Sequence, residues 1–146
     1  MRKELQAPCR ERGVMLIEAL IGILIFSIGI LALMGLQAQA IRNTIEAKYR
    51  NEAAYLANQL IGQMWVDRPN LTTYDTGGGA NLNMTNWRTQ VAQVLPGITV
   101  GGTNSPTVVV TGTAATGGQV TVTLFWRMPG ADSQTRQLSI LAQIND

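Results

Sequence analysis

The sequence predicts an α+β protein in which one long N-terminal α-helix packs against a small antiparallel β-sheet. A continuous apolar run near the N-terminus is followed by an apolar stripe at helical spacing, and the last third of the chain alternates apolar and polar residues as strands do. The predicted segments are a leader (1–13), a membrane-spanning first half of the helix (14–36), its second half (37–66), a loop (67–86), and a short helix with a β-meander (87–146).

The apolar run extends from Val14 to Leu36 and contains one charged residue, Glu18. As a helix it is roughly 35 Å long, enough to cross a hydrocarbon core of about 30 Å. A charge inside such a segment costs on the order of 2.5–3.5 kcal/mol even on lenient insertion scales. Glu18 therefore needs a functional reason, unless it lies close enough to the interface to stay hydrated.

Charge is sparse and unevenly distributed along the 146 residues. Charged residues make up 14% of the chain, against about 25% in soluble domains. Four of the 11 basic and two of the nine acidic residues precede Val14, so the whole net charge of +2 lies in the leader and seven of each sign follow it. A positive flank stays cytoplasmic, which predicts that the C-terminal domain lies across the membrane from it. The only cysteine, Cys9, is in the leader, so the exported part is expected to have no disulfide.

Three ordinary interpretations of this N-terminus compete. A secretory signal peptide could be cut after Ala38-Gln39-Ala40, but its apolar core would be longer than the usual 7–15 or so residues. A lipoprotein signal at Cys9 fails because the apolar run follows the cysteine. A plain signal anchor explains the span and its orientation, but gives no role to Gly13 and Glu18.

The helix is expected to continue beyond the membrane to about Trp65. This stretch lacks proline, and Glu46 with Arg50, and Lys48 with Glu52, are spaced to form ion pairs on its exposed face. Its apolar stripe consists of Ile41, Ile45, Tyr49, Ala53, Leu56, Leu60 and Met64. Pro69 should end the helix.

A loop is predicted from Asn70 to Asn86, rich in threonine, asparagine and glycine. Its triple glycine is not a phosphate-binding loop, since no Gly-Lys-Ser/Thr follows. Thr85 or Asn86 is expected to cap a short helix that ends at Pro96-Gly97. The core side chains of that helix are predicted to be Trp87, Val91, Val94 and Leu95.

Three strands are predicted in succession, over 107–113, 119–128 and 136–144. The inward residues are expected to be Val120, Val122, Leu124, Trp126 and Met128 in the second strand, and Leu138, Ile140, Ala142 and Ile144 in the third. About 80 residues make a marginal core alone, so the apolar face of this meander is expected to pack on the stripe of the long helix.

The sequence argues against an enzyme. It has no histidine, which excludes His-dependent triads and His-ligated zinc, and its serines have no nearby base or nucleophile elbow. Three arginines in the predicted domain (Arg88, Arg127 and Arg136) are too few to predict nucleic-acid binding. No catalytic residue, metal site or cofactor is predicted.

The N-terminus resembles the class III signal of type IV pilins and of type II secretion pseudopilins. The resemblance rests on the basic leader, on Gly13, on a hydrophobic residue after it, and on glutamate at the fifth position thereafter. It implies that a prepilin peptidase cuts between Gly13 and Val14 and methylates the new amine of Val14. Val14 departs from the phenylalanine usual there. In a filament of packed helices, Glu18 could then pair with the Val14 ammonium of a neighbouring subunit, which makes both charges less costly in apolar surroundings.

The order of elements is similar to the PilV group of minor pilins, in particular through the Trp87 helix that ends Leu95-Pro96-Gly97 and the Val-Thr-Leu-Phe-Trp strand. This implies a subunit that takes part in initiating or assembling a type IV pilus, with other pilin subunits, the prepilin peptidase and the assembly platform as partners. It would lie first in the inner membrane and then in the pilus. A minor pseudopilin of type II secretion and a singly anchored periplasmic binding domain remain alternatives.

Overall fold

The computed structural model describes residues 11–78, 81–130 and 134–145; the leader residues 1–10 predicted above lie outside them. Its helices are α1 (Glu11–Val66) and α2 (Leu82–Val94), its strands are β1 (Thr107–Thr111), β2 (Gly118–Arg127) and β3 (Thr135–Ile144), and short 3-10 helices cover Arg68–Tyr74 and Ala114–Thr116. The prediction of a long helix with a small antiparallel sheet is confirmed.

The chain divides between Thr44 and Ile45 into two compact units, and α1 contributes to both. In the first unit the large apolar side chains between Val14 and Leu36 are 39% to 72% exposed. By its length and composition, α1 is a helix that could cross a membrane. An apolar surface of this kind is stable only when lipid or other apolar helices surround it.

The second unit contains a three-stranded antiparallel sheet in the order β1-β2-β3. One cross-strand row runs Val109, Thr121, Leu141 on the outer face of the sheet. The predicted strand bounds differ from the observed ones by one or two residues. Gly118, at the start of β2, has no room for a side chain, since a Cβ there would overlap Leu71.

The core lies between the inner face of this sheet and the second half of α1. From β2 it takes Val120, Val122, Leu124 and Trp126, each at most 3% exposed. From α1 it takes Ala53, Leu56, Ala57, Leu60 and Met64, and from α2 and its end Met84, Trp87, Val91 and Leu95. The predicted stripe is confirmed from Ala53 onward. Ile41, which the sequence assigned to the same stripe, is 60% exposed and belongs to the first unit.

The structure corrects the predicted loop over 67–86. Arg68–Tyr74 forms a 3-10 helix with Pro69 in its first turn, and it buries Leu71 and Tyr74 in the core. The helix α2 begins before the predicted cap, because the side chain of Asn81 accepts a hydrogen bond from the backbone N–H of Asn83 at 2.9 Å.

The ion pair that Glu46 makes also differs from the prediction. Its carboxylate lies 2.8 Å from the guanidinium of Arg136 on β3, where the sequence suggested Arg50 one turn along the helix. Both side chains are partly exposed, so the pair contributes little stability, on the order of 0–1 kcal/mol. It nevertheless links the start of the second unit's helix to the edge strand of the sheet.

The free edge of β1 is closed by the chain itself. The backbone N–H of Val110 donates to the carboxylate of Asp75 at 2.8 Å, and the N–H of Val108 donates to the hydroxyl of Thr76. The backbone N–H of Thr76 donates in turn to the carbonyl of Val108 at 2.8 Å. Two residues of the preceding segment therefore take the place of a neighbouring strand.

Candidate functional site

The predicted site residues lie in the first turns of α1. Gly13 and Val14 are helical and exposed, with only Glu11 and Arg12 before them in the described helix. Glu18 follows Val14 by four residues, which places both side chains on the same face one turn apart. The structure therefore brings Val14 and Glu18 onto one face.

Glu18 is exposed and makes no hydrogen bond or ion pair within the described part of the chain. In the uncut chain Val14 carries an amide and no amine, so the ammonium partner implied by the resemblance exists only after cleavage. A carboxylate in an apolar helix surface is unfavourable unless such a partner or water reaches it.

The other polar group of this segment is satisfied locally. The hydroxyl of Ser27 donates to the carbonyl of Ile23 at 2.7 Å, one turn earlier in the helix. The three glycines of the segment, Gly22, Gly29 and Gly35, are open: a Cβ at any of them would meet no atom within 4 Å. Glycine at such places lets neighbouring helices approach closely in lipid.

The second unit has an open groove of about 650 Å³ at the end of α1, lined by Gln59, Gly62, Gln63, Val66, Asp67, Tyr74 and Asn83. Its carboxylate is already engaged: Asp67 accepts hydrogen bonds from the hydroxyl of Tyr74 at 3.1 Å and from the side-chain amide of Asn70 at 2.7 Å. Burial raises the pKa of Tyr74 above its usual value of 10.0, and the negative charge of Asp67 acts in the same direction.

The side chains that line this groove include three amides, one carboxylate and one phenol. Among the described residues there is no group of three or more histidine, cysteine, aspartate or glutamate side chains that could hold a metal ion. The hydroxyl of Tyr74, which donates to Asp67, also accepts a hydrogen bond from the side-chain amide of Asn83 at 3.4 Å. The groove therefore offers polar side chains that can form hydrogen bonds.

Two of the three arginines considered for nucleic-acid binding have partners within the domain. Arg136 pairs with Glu46, and the Nε of Arg127 donates to the hydroxyl of Thr135 at 3.2 Å.

Asp75 and Thr76, which close the edge of β1, were missed by sequence reasoning. They follow no local pattern, since the residues that they bond are more than 30 positions away.

Comparisons of this chain with protein-family models, with curated proteins and with solved structures found no match. The site is therefore defined by its own residues: an exposed apolar helix, Gly13 and Val14 at its start, and Glu18 one turn later.

Proposed function

We propose that this chain is a minor pilin of the PilV type, a structural subunit that takes part in initiating or assembling a type IV pilus. The observation that carries the proposal is the unpaired Glu18, four residues after Val14, in the part of α1 from Val14 to Leu36 whose large apolar side chains are all exposed. A helix of this kind suits lateral packing among similar helices, where a carboxylate can meet an ammonium supplied by a neighbour.

The proposed sequence of events begins in the inner membrane, with the C-terminal domain in the periplasm. A prepilin peptidase hydrolyses the Gly13–Val14 bond, which frees the amine of Val14 for methylation. The mature chain then moves from lipid into the filament, and Glu18 pairs with the Val14 ammonium of an adjacent subunit. Pairing lowers the cost of keeping each charge among apolar side chains.

The mature N-terminus tests the first step. We expect mass spectrometry of the protein from its native membrane to find N-methylated Val14 as the first residue. Gly13→Arg should block the cut and leave the full-length chain, whereas Gly13→Ala should be tolerated. Recovery of wild-type protein that begins at Met1, or one cut after Ala40, would contradict the proposal.

A charge substitution tests the second step. Glu18→Ala should still be inserted and processed, but its incorporation into filaments should fall well below that of wild type. Ser27→Ala is the matched control, because it removes a polar side chain of the same helix whose only hydrogen bond is local. If Glu18→Ala and Ser27→Ala enter filaments equally well, Glu18 is a hydrated interfacial residue with no pairing role.

Two alternatives to a pilin remain, and a different observation distinguishes each of them from it. A minor pseudopilin of type II secretion would share the same N-terminus, and the genes beside this one would separate it from a pilin. A singly anchored periplasmic binding domain would keep its leader uncut and would use a surface of the second unit, such as the groove at Asp67. The mature N-terminus decides between that alternative and both filament proteins.

A further inference from the structure

The edge of β3 that faces away from β2 is open in the described part of the chain. No described strand pairs with it, and its register with β2 continues from Thr135 to Ile144 without a bulge. The strand has no proline and no lysine, and Arg136 is its only charged residue. Natural edge strands usually carry bulges, prolines or lysines that prevent pairing with other chains. The sheet therefore has one edge closed by the chain itself, at β1, and one long edge without protection.

The hydrogen bonds of the sheet identify the backbone groups on this edge. The N–H groups of Val108 and Val110 point away from β2, towards Thr76 and Asp75. Backbone groups alternate in direction along an antiparallel strand, so the even-numbered residues of β2 bond to β3 and the odd-numbered residues of β3 point outward. These outward backbone groups make no hydrogen bond within the described part of the chain. They belong to Gln137, Ser139, Leu141 and Gln143.

The inner side chains of β3 are only partly covered. Leu138, Ile140 and Ala142 are half-buried against the core, whereas the residues opposite them on β2 are 0% exposed. A further strand beside β3 would bring its own inward side chains against these three and remove apolar surface from water. The side chains between them are exposed, and three of the four are polar and uncharged. The strand that fits this edge therefore alternates apolar and uncharged polar residues.

We propose that the open edge of β3 binds an extended segment of another protein, which adds a fourth strand to the sheet. The main chain of the segment supplies the hydrogen bonds, and its alternate side chains supply the specificity. Its apolar residues lie beside Leu138 and Ile140 on the inner face. It runs antiparallel to β3, as each strand of this sheet does to its neighbour.

The direction of β3 disfavours a second copy of this chain as the occupant. Near its start Arg136 pairs with Glu46, where the chain has just entered the second unit, and after its end the carbonyl of Asn145 accepts from Arg68, just beyond α1. β3 therefore runs in the same direction as the second half of α1. Two identical edges pair symmetrically only as antiparallel strands, since a symmetric parallel pair sets N–H against N–H. Two copies paired in this way would enter their second units from opposite ends, although both are anchored in one membrane, as proposed above.

A peptide of defined sequence tests whether the edge accepts a strand. The probe is a fluorescent copy of β2 (Gly118–Arg127), because this sequence has the required alternation. Its binding to the full chain in detergent micelles is measured by fluorescence anisotropy. We expect the peptide to bind wild type and Ser139→Ala equally, and to bind Ser139→Pro about tenfold or more weakly. Proline has no N–H, and its ring occupies the place of the incoming strand.

Ser139→Ala is the matched control for Ser139→Pro. Both variants lose the hydroxyl that lies 3.0 Å from the hydroxyl of Thr123, so their difference reports on the backbone. The N–H of residue 139 points away from β2, so the ladder between β2 and β3 keeps its bonds in Ser139→Pro, which circular dichroism of the full chain checks. Equal binding of the peptide to the two variants would overturn the proposal.

Methylated peptides give a second test on the unaltered protein. In the proposed pairing, the N–H groups of the peptide residues copied from Thr121 and Thr123 face β3, and those copied from Val120 and Val122 face away. N-methylation at the first two should reduce binding about tenfold or more, since it removes donors to the edge, and methylation at the other two should reduce it less. Equal binding of the two methylated peptides would contradict strand addition.

Cross-linking in the native membrane identifies the class of occupant. In a Cys9→Ser background, a photo-activated cross-linker is attached to Leu141→Cys, at a position that is 62% exposed in the wild type. We expect an adduct whose mass differs from twice that of the chain, which is lost when Ser139→Pro is added and kept when Ser139→Ala is added. An adduct of twice the chain mass would assign the edge to a second copy and overturn the proposal. No adduct, or one that Ser139→Pro leaves unchanged, would overturn it as well.

Discussion

Two buried tryptophans in the second unit offer a matched test of what holds its layers together. Trp87 is 2% exposed, and its indole N–H donates to the backbone carbonyl of Leu56 on α1 at 2.8 Å. Trp126 is 3% exposed, and its indole N–H has no hydrogen-bond partner among the described residues. The same substitution, tryptophan to phenylalanine, therefore removes a satisfied donor at one site and an unsatisfied donor at the other.

The magnitudes follow from this difference. Both substitutions remove the same ring volume from a fully buried position, so the packing cost largely cancels in the comparison. Trp87→Phe also loses a net hydrogen-bond contribution of about 0.5–1.5 kcal/mol, whereas Trp126→Phe removes a buried unpaired donor that costs about 1–3 kcal/mol. The free energy of unfolding should therefore fall further for Trp87→Phe than for Trp126→Phe, by about 1.5 kcal/mol or more.

Urea unfolding of the fragment 45–146, followed by far-ultraviolet circular dichroism, measures both values. The fragment covers the whole second unit and omits the apolar first unit. Trp65→Phe is the control, since Trp65 is 43% exposed and surface substitutions usually change stability by less than about 0.5 kcal/mol. Equal destabilisation by Trp87→Phe and Trp126→Phe would refute the reasoning that the Leu56 bond joins α2 to α1.

Three other outcomes are expected of the same unit. Leu56→Ala combined with Leu60→Ala should abolish the cooperative urea transition of the fragment 45–146, because each buried leucine contributes about 2–5 kcal/mol of a total of about 5–15. A fragment that begins at Pro69 should show no cooperative melting, since the sheet would lose the helix that covers it; cooperative melting as a monomer would mean that the sheet buries its own core. Burial raises the pKa of Tyr74 above 10.0 in the folded state, so its contribution to stability should be complete below about pH 10 and be lost as the pH rises through the raised value. Tyr74→Phe should flatten that alkaline decline in a pH series of urea transitions, and an unchanged decline would assign it to other groups.

The sequence predicted the elements whose signal is local and periodic. Alternation placed β2 almost residue for residue, and the stripe from Ala53 to Met64 placed the inner face of α1. The sequence-based prediction failed where a polar segment is ordered by contacts with residues that are distant in the sequence. The 3-10 helix around Pro69 is held because Leu71 and Tyr74 enter a core built by other elements, and no spacing within 67–78 reveals that.

The ion pairs illustrate the same limit. Glu46 and Arg50 satisfy the helical spacing rule, but Arg136 lies within reach of Glu46 only after β3 has docked. The candidate site depends on local order alone: Val14 and Glu18 share a face in any helix that includes both. The proposed partner of Glu18 belongs to another molecule, so the fold of a single chain does not include it.

The closure of β1 by Asp75 and Thr76 limits how the sheet can grow. Antiparallel sheets extend wherever an unpaired strand edge is open, and repeated extension at both edges leads to ribbons and fibrils. In this sheet one edge is already bonded to the chain's own backbone and side chains, so extension can proceed only beside β3. A sheet with one open edge stops after a single addition of another such sheet. The closed edge of β1 therefore protects this domain against runaway β-aggregation.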